Sequence, residues 1–134
     1  MITDAEIMAN RKVWTGAMRS GRYIQGRSRL RNGVKYCCLG VLCDTGVVPG
    51  HWEEDYDNIY IWMCDSGASY TGALSRLHLA AVGLSYEAQD RLMIMNDGLF
   101  NYHGGISRPS TFAQIADYID TLPIHRDTPL TPAS

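Results

Sequence analysis

The stretch that decides the fold is Arg22-Tyr23-Ile24-Gln25-Gly26-Arg27-Ser28-Arg29-Leu30-Arg31-Asn32-Gly33-Val34-Lys35-Tyr36-Cys37-Cys38-Leu39-Gly40-Val41-Leu42-Cys43-Asp44. Asn-Gly between two extended segments is the strongest short-range hairpin signal, because both residues tolerate positive φ. A two-residue turn at Asn32-Gly33 predicts Arg31 facing Val34 and Arg29 facing Tyr36. Period-two alternation then places Arg27, Arg29 and Arg31 on one face, joined by Gln25 and Tyr23 if the strand runs back unbroken. Gly26 is where a bulge would interrupt it. Leu30 and Lys35 fall on the opposite face. The apolar run that follows, 37–43, is too short for its length to separate strand from helix. Gly46, placed as a cap, favours a short buried helix.

Working outward, Thr3-Asp4-Ala5-Glu6 is a capping box opening a helix with Ile7, Trp14 and Met18 on one stripe, Val13 and Ala17 beside it, and an end near Ser20-Gly21. Residues 47–58 read as a loop containing the acids Glu53, Glu54, Asp55 and Asp57. Residues 59–64 read as a strand, with Tyr60 and Trp62 on one face and Ile59, Ile61 and Met63 on the other. Leu74, Leu77, Ala81 and Val82 form an apolar stripe that ends at Gly83. Ser85 caps a further helix through Leu92 and Met95, stopped at Asn96-Asp97-Gly98. After a loop over 99–109, Thr111 and Gln114 form a second capping box, and Phe112, Ile115, Ala116 and Ile119 follow with amphipathic spacing. The expected class is α+β: a small antiparallel sheet (hairpin 22–36 plus strand 59–64) packed with four to five helices. Its core is expected to hold Trp14, Met18, Leu39, Leu42, Leu92, Phe112 and Ile115. One globular domain is expected over 1–122 and a disordered, proline-bearing tail over 123–134.

Composition narrows the function classes. At 134 residues and 46% hydrophobic, the chain is too apolar for a disordered protein. No run approaches the ~20 apolar residues that a membrane helix needs. The first six residues carry an early acidic pair and no apolar segment, so no secretory signal is expected and the location read is cytoplasmic. In that compartment Cys37, Cys38, Cys43 and Cys64 are reduced thiols, and the adjacent pair lacks metal-knuckle spacing. Neither metal nor cofactor is expected. There is no Walker loop, GxSxG elbow or HExxH pair, and the glycines at 21 and 26 follow a helix rather than a strand.

The net charge of −2 conceals a polarised chain. Between Ile7 and Cys43 there is no acid against eight bases: Arg11, Lys12, Arg19, Arg22, Arg27, Arg29, Arg31 and Lys35. Residues 45–134 hold four bases and eleven acids. Two readings follow: an anionic partner for the basic third, or intramolecular pairing with the acidic remainder. Arginine forks bind phosphate bidentately, and Tyr36 or Tyr23 offers a ring to stack a base, so Arg27, Arg29, Arg31, Tyr23 and Tyr36 are the candidate ligand residues. The competing reading is an edge strand defended by charge. A small nucleotide-like anion fits better than a long nucleic acid, because a sequence isoelectric point of ≈ 6.0 is far from that of a duplex-binding domain. A cysteine at a helix start beside bases would have a lowered pKa. Cys38, with His103 or His51 as base, is therefore the outside candidate for a hydrolase, against simple packing. The acidic residues with Tyr60 and Trp62 form a candidate surface for a protein partner, and self-association is also compatible with the sequence.

The blocks Ala17-Met18-Arg19-Ser20-Gly21-Arg22-Tyr23-Ile24-Gln25-Gly26, Leu30-Arg31-Asn32-Gly33 and Tyr36-Cys37-Cys38-Leu39-Gly40-Val41-Leu42-Cys43-Asp44 resemble a family of small proteins from tailed bacteriophages and prophages. So do Met95-Asn96-Asp97 and Phe112-Ala113-Gln114-Ile115-Ala116-Asp117-Tyr118-Ile119. That family has no assigned activity, so the resemblance implies an origin rather than a mechanism: a viral accessory protein acting in the host bacterial cytoplasm. Combined with the charge map, the expectation is an anti-defence protein that sequesters an immune nucleotide messenger. The alternatives are an inhibitor of a host protein and, third, the cysteine-dependent hydrolase.

Overall fold

The computed structural model describes residues 2–98 and 108–126. Helix α1, Asp4–Arg19, opens with the expected capping box: the Thr3 hydroxyl accepts the Glu6 N–H at 3.1 Å, and the Glu6 carboxylate accepts from Thr3 N–H. Its buried stripe is Ile7, Trp14, Ala17 and Met18, while Val13 is exposed. Trp14 Nε1–H donates to Cys38 O at 2.9 Å, which pins α1 to the start of α2 (Cys38–Asp44).

The class is α+β, with five helices and six strands among the described residues. The strands are β1 Ile24–Gln25, β2 Arg31–Asn32, β3 Lys35–Tyr36, β4 Gly50–Glu54, β5 Ile59–Cys64 and β6 Ser69–Tyr70. Their order is β1-β3-β2-β5-β4, with β6 also on β5. The sheet is mixed, since β1 runs parallel to β3 while the other pairs are antiparallel. β4 lies in the segment expected to be loop. Trp52 is its one large apolar residue, so it shows no alternation to read. The ladder to β5 and the packing of Trp52 on Trp62 (ring centroids 4.8 Å apart) hold it instead.

The hairpin exists with a different register. Arg31 pairs with Tyr36 and Asn32 with Lys35, so Gly33-Val34 is the central pair. Gly33 has φ +60° and Val34 is not in the positive-φ region, the pattern of a type II′ turn. The only left-handed position then falls on glycine, whereas a turn centred on Asn32-Gly33 would need two. The arginine row is also corrected. Residues 27–29 are not strand: Ser28 has φ +68°, and Arg29 N–H donates to Arg27 O at 2.8 Å across a three-residue turn. Alternation therefore stops, and only Arg31 of the three stands on β2.

Glycine at position 40 explains how α2 reaches the sheet. A Cβ there would lie 1.8 Å from the Leu30 carbonyl oxygen, which itself accepts the Cys37 N–H at 3.1 Å. Leu30 and Leu39 are fully buried at this contact. The stripe expected over 74–82 forms only in part: α3 is Arg76–Leu79, followed by a 3₁₀ turn Ala80–Val82 that closes at Gly83. Leu74 precedes the helix, and its N–H and C=O are both taken by the buried Gln89 side chain (2.8 and 3.1 Å), which leaves Leu77 exposed. Helix α4, Tyr86–Asp97, is capped by Ser85, and α5, Phe112–Thr121, by the Thr111/Gln114 box. All seven expected core residues are buried.

Residues 123–126, read from sequence as the start of the tail, lie against the domain. Arg11, 3% exposed, donates to Val82 O (2.6 Å), Gly83 O (3.0 Å), Leu122 O (2.6 Å) and Pro123 O (3.1 Å). His125 N–H donates to Gly83 O at 2.8 Å, and Arg126 pairs with Asp4. The remaining tail, 127–134, is outside the described residues.

Candidate functional site

The sheet's inner face carries a row of paired residues, Gln25–Tyr36–Arg31–Tyr60–Glu54, running from β1 to β4. At its β1 end Gln25 turns toward the C-terminus of α4. There Asn96, 1% exposed, uses its whole amide. Its Oδ1 accepts from Gln25 Nε2 (3.2 Å) and from Cys38 N–H (3.1 Å). Its Nδ2 donates to Gly26 O (2.8 Å) and to Asp97 Oδ1 (2.9 Å). Asn96 thus ties β1, α2 and α4 at one point. Gln25 Nε2 donates again to Ser110 O (2.8 Å), and Ser110 N–H donates to Met95 O (2.6 Å), which brings the start of α5 to the same place.

These bonds frame a cleft of about 330 Å³ lined by Gln25, Arg27, Asn96, Arg108, Pro109, Ser110 and Thr111. Arg27 and Arg108 arrive from separate segments, both are exposed, and neither forms an ion pair among the described residues. The three-residue turn aims Arg27: Asp97 Oδ1 accepts the Ser28 N–H at 3.0 Å and holds the left-handed serine in place. Thr111 is the N-cap of α5, so the positive end of that helix opens at the cleft. Two guanidinium groups, a helix start and the Ser110 and Thr111 hydroxyls bring hydrogen-bond donors and positive potential to the cleft. Its volume is at the small end of the range for ligand pockets.

Of the ligand candidates Arg27, Arg29, Arg31, Tyr23 and Tyr36, only Arg27 lines this cleft. Arg29 is exposed and does not line it. Arg31 is half-buried in an aromatic cluster, its guanidinium carbon 3.9 Å from the Tyr60 ring centroid, 5.2 Å from Tyr36 and 5.6 Å from Trp52, with Nε–H donating to Gly33 O (2.9 Å). Tyr23 and Tyr36 pack edge to face at 5.1 Å. Tyr23 O–H donates to Asp44 Oδ2 (2.5 Å), and burial together with that bond pushes its pKa up to about 12. Burial raises Tyr36 as well. These rings are spent on one another and on Arg31. Elsewhere in the basic segment, Arg19 pairs with Asp117 and Asp120 (2.7 and 2.6 Å), while Arg11 is solvated by carbonyls. Of the eight bases, Arg19 alone pairs with an acid among the described residues.

The expected low-pKa cysteine is corrected. Cys38 is fully buried and its thiol is raised well above the usual range by that burial. Cys37 is the α2 N-cap; its sulfur accepts from Gly40 N–H (3.4 Å), yet burial outweighs that bond and its pKa rises to about 11. The positive end of a seven-residue helix does not compensate the lost hydration of a thiolate. His51 is on the outer sheet face beside Glu53 (3.1 Å), and His103 lies outside the described residues. Trp62 is buried, and Tyr60, half-buried, lies under Arg31. Among the described residues no cluster of His, Cys, Asp or Glu could hold a metal, and no helix is long and apolar enough to cross a membrane.

Sequence reasoning missed Arg108, which follows a loop with no periodic signal, and the Asn96 hub, which read as a helix stop. The quoted blocks Met95-Asn96-Asp97 and Tyr36-Cys37-Cys38 nevertheless meet here, through Asn96 and Cys38 N–H. No curated protein and no solved structure matches the chain. A family model described as a domain of unknown function (DUF8296) matches residues 8–122, a span that runs from the first turns of α1 to the end of α5 and contains every residue lining the cleft. The chain is therefore a member of the DUF8296 family.

Proposed function

We propose that the protein captures a small phosphate-bearing anion in the cleft between β1, the end of α4 and the start of α5, and holds it without turning it over. The observation that carries this reading is the convergence of Arg27 and Arg108, neither in an ion pair among the described residues, on the N-terminus of α5. A phosphoryl group seated there accepts from both forks and from the Phe112 and Ala113 amides, which have no acceptor among the described residues. Among the described residues no aromatic side chain lines the cleft, and the Gln25 amide edge is the group there that could meet a base. The bacteriophage resemblance gives this chemistry a setting: a viral protein in the host cytoplasm that withdraws a nucleotide messenger of bacterial immunity.

The test is calorimetry and thermal shift with inorganic phosphate, pyrophosphate, mononucleotides and cyclic dinucleotides. A ligand that binds only the native state raises the melting temperature by mass action. Arg27→Glu and Arg108→Glu should each abolish the shift without changing the unliganded melting temperature, while Arg29→Glu should preserve it. Binding that survives both cleft substitutions, or is lost only with Arg29, refutes the assignment. Recovery of the ligand intact from denatured protein separates capture from turnover.

A further inference from the structure

Strand β5 reads Ile59-Tyr60-Ile61-Trp62-Met63-Cys64, six residues without a charged or amide side chain. An antiparallel strand with one wet face alternates apolar and polar residues; an unbroken apolar run marks a strand covered on both faces. One face is covered, with Trp62 and Cys64 buried. The other presents Ile59, Ile61 and Met63, each half-buried, in line along the strand. Their paired neighbours on that face, Asn32, Glu53, His51 and Ser69, are all exposed, as is Ile24 at 55%.

The flanks of this stripe carry opposite charge. Lys35 stands on the β2–β3 side, level with Ile59 through Asn32. Glu53 is on the β4 side opposite Ile61, and Asp55 is level with Ile59, whose carbonyl accepts the Asp55 N–H at 2.8 Å. Neither Lys35 nor Asp55 forms an ion pair among the described residues.

We propose that this outer sheet face is the contact between two copies of the chain, packed face to face about a two-fold axis parallel to β5. That operation lays the Ile59–Ile61–Met63 stripe on its own copy, as in aligned sheet packing. It also carries the β2–β3 flank of each protomer over the β4 flank of the other, so each Lys35 approaches the second copy's Asp55. The contact is self-complementary and closes at two subunits. It is separate from the anion cleft, because Gln25 stands on the opposite face of the sheet.

Sedimentation equilibrium of the full chain across a wide concentration range, at low and high salt, tests this. The wild type should show a monomer–dimer equilibrium that weakens with salt. Ile61→Lys should loosen it by about tenfold or more, as expected for a residue at the centre of an interface, with circular dichroism and melting temperature unchanged. Lys35→Glu should weaken it by about a few-fold, and Lys35→Glu combined with Asp55→Lys should restore it. A wild type that stays monomeric at every concentration overturns the proposal. If Ile61→Lys then also lowers the melting temperature, the chain's own residues cover the face. A dimer that survives Ile61→Lys uses another surface and overturns it equally.

Discussion

Arg11 donates to four backbone carbonyls, and replacing it with methionine isolates what its charge does. Met retains most of the apolar stem and removes the guanidinium, with its four carbonyl contacts to Val82, Gly83, Leu122 and Pro123. Gly83 O keeps the His125 N–H as a donor. Leu122 O and Pro123 O are part-buried and can rehydrate, which leaves Val82 O as the orphan. An unsatisfied buried acceptor costs about 1–3 kcal/mol, and each lost bond to a charged donor about 1.5–3. Against this, the mutation relieves the desolvation of a buried cation, the same burial that lowers the Arg11 pKa from its ordinary value against the opposing effect of Asp120. The net expectation is a loss of about 3 kcal/mol, which for a domain of this size lowers the melting temperature by about 10 °C.

Urea unfolding followed by circular dichroism gives the free energy, and amide exchange at His125 reports whether the 122–126 segment detaches first. Arg11→Lys should recover only part of the loss, because an ammonium cannot span four carbonyls on two segments. The deficit should be insensitive to salt, since the partners are dipoles rather than ions. A variant within about 0.5 kcal/mol of wild type, the range of ordinary surface substitutions, would refute the reasoning.

Gly40→Ala should destabilise by about 3 kcal/mol or more despite the better helix propensity of alanine, because the added methyl meets a backbone oxygen that cannot step aside; a stability gain in chemical denaturation would contradict the close approach. Asn96→Asp keeps the shape but replaces the donor to Gly26 O with an acceptor beside Asp97, so a loss of about 2–4 kcal/mol is expected, together with loss of anion binding; a wild-type unfolding curve would remove the hub from the account. Burial lowers the pKa of His78, with Tyr70 O–H 2.6 Å from its Nδ1 and Ser75 Oγ 2.6 Å from the same phenol. Its folded pKa lies below the ordinary imidazole value of 6.5, so around and below that pH the unfolded chain binds more protons and stability falls with acidification; His78→Gln should flatten the melting-temperature profile in that range, and an unchanged slope would assign it to other groups.

Much of the fold was legible because its signals are local. Both capping boxes, the glycine stop at 83, the Ser85 cap and the amphipathic spacing of Phe112, Ile115, Ala116 and Ile119 depend on side chains bonding or packing within their own helix. β4 was not legible, because its ladder partner rather than its own pattern makes it a strand. The hairpin turn slipped by one residue for a local reason that sequence left open, Asn32 being as acceptable at positive φ as Gly33 is. The site was hidden more thoroughly. Its geometry comes from a left-handed serine held by Asp97 and from an asparagine bonded to residues 58 and 70 positions away, and neither contact has a periodic signature.

Placing each base sharpens the charge map. A basic segment answered by the chain's own acids would show paired carboxylates, and among the described residues only Arg19 does. A defended edge would show its arginines side by side along a strand, yet the strand ends at Arg31, whose guanidinium is committed to Tyr60, Tyr36 and Trp52. Of the exposed bases without an ion pair among the described residues, Arg27 is the one that lines the cleft, turned out of line by a positive-φ residue. Left-handed backbone costs a non-glycine residue about 1–2 kcal/mol, and it persists only where the surroundings impose it. Here they do: Asp97 bonds the Ser28 amide, Asn96 bonds Asp97, and the same Asn96 fixes the Gln25 and Gly26 walls of the cleft. The strain at Ser28 opposes the stability of the fold and is held beside Arg27, which lines the cleft with Arg108, and the anion site proposed above gives that strain a use.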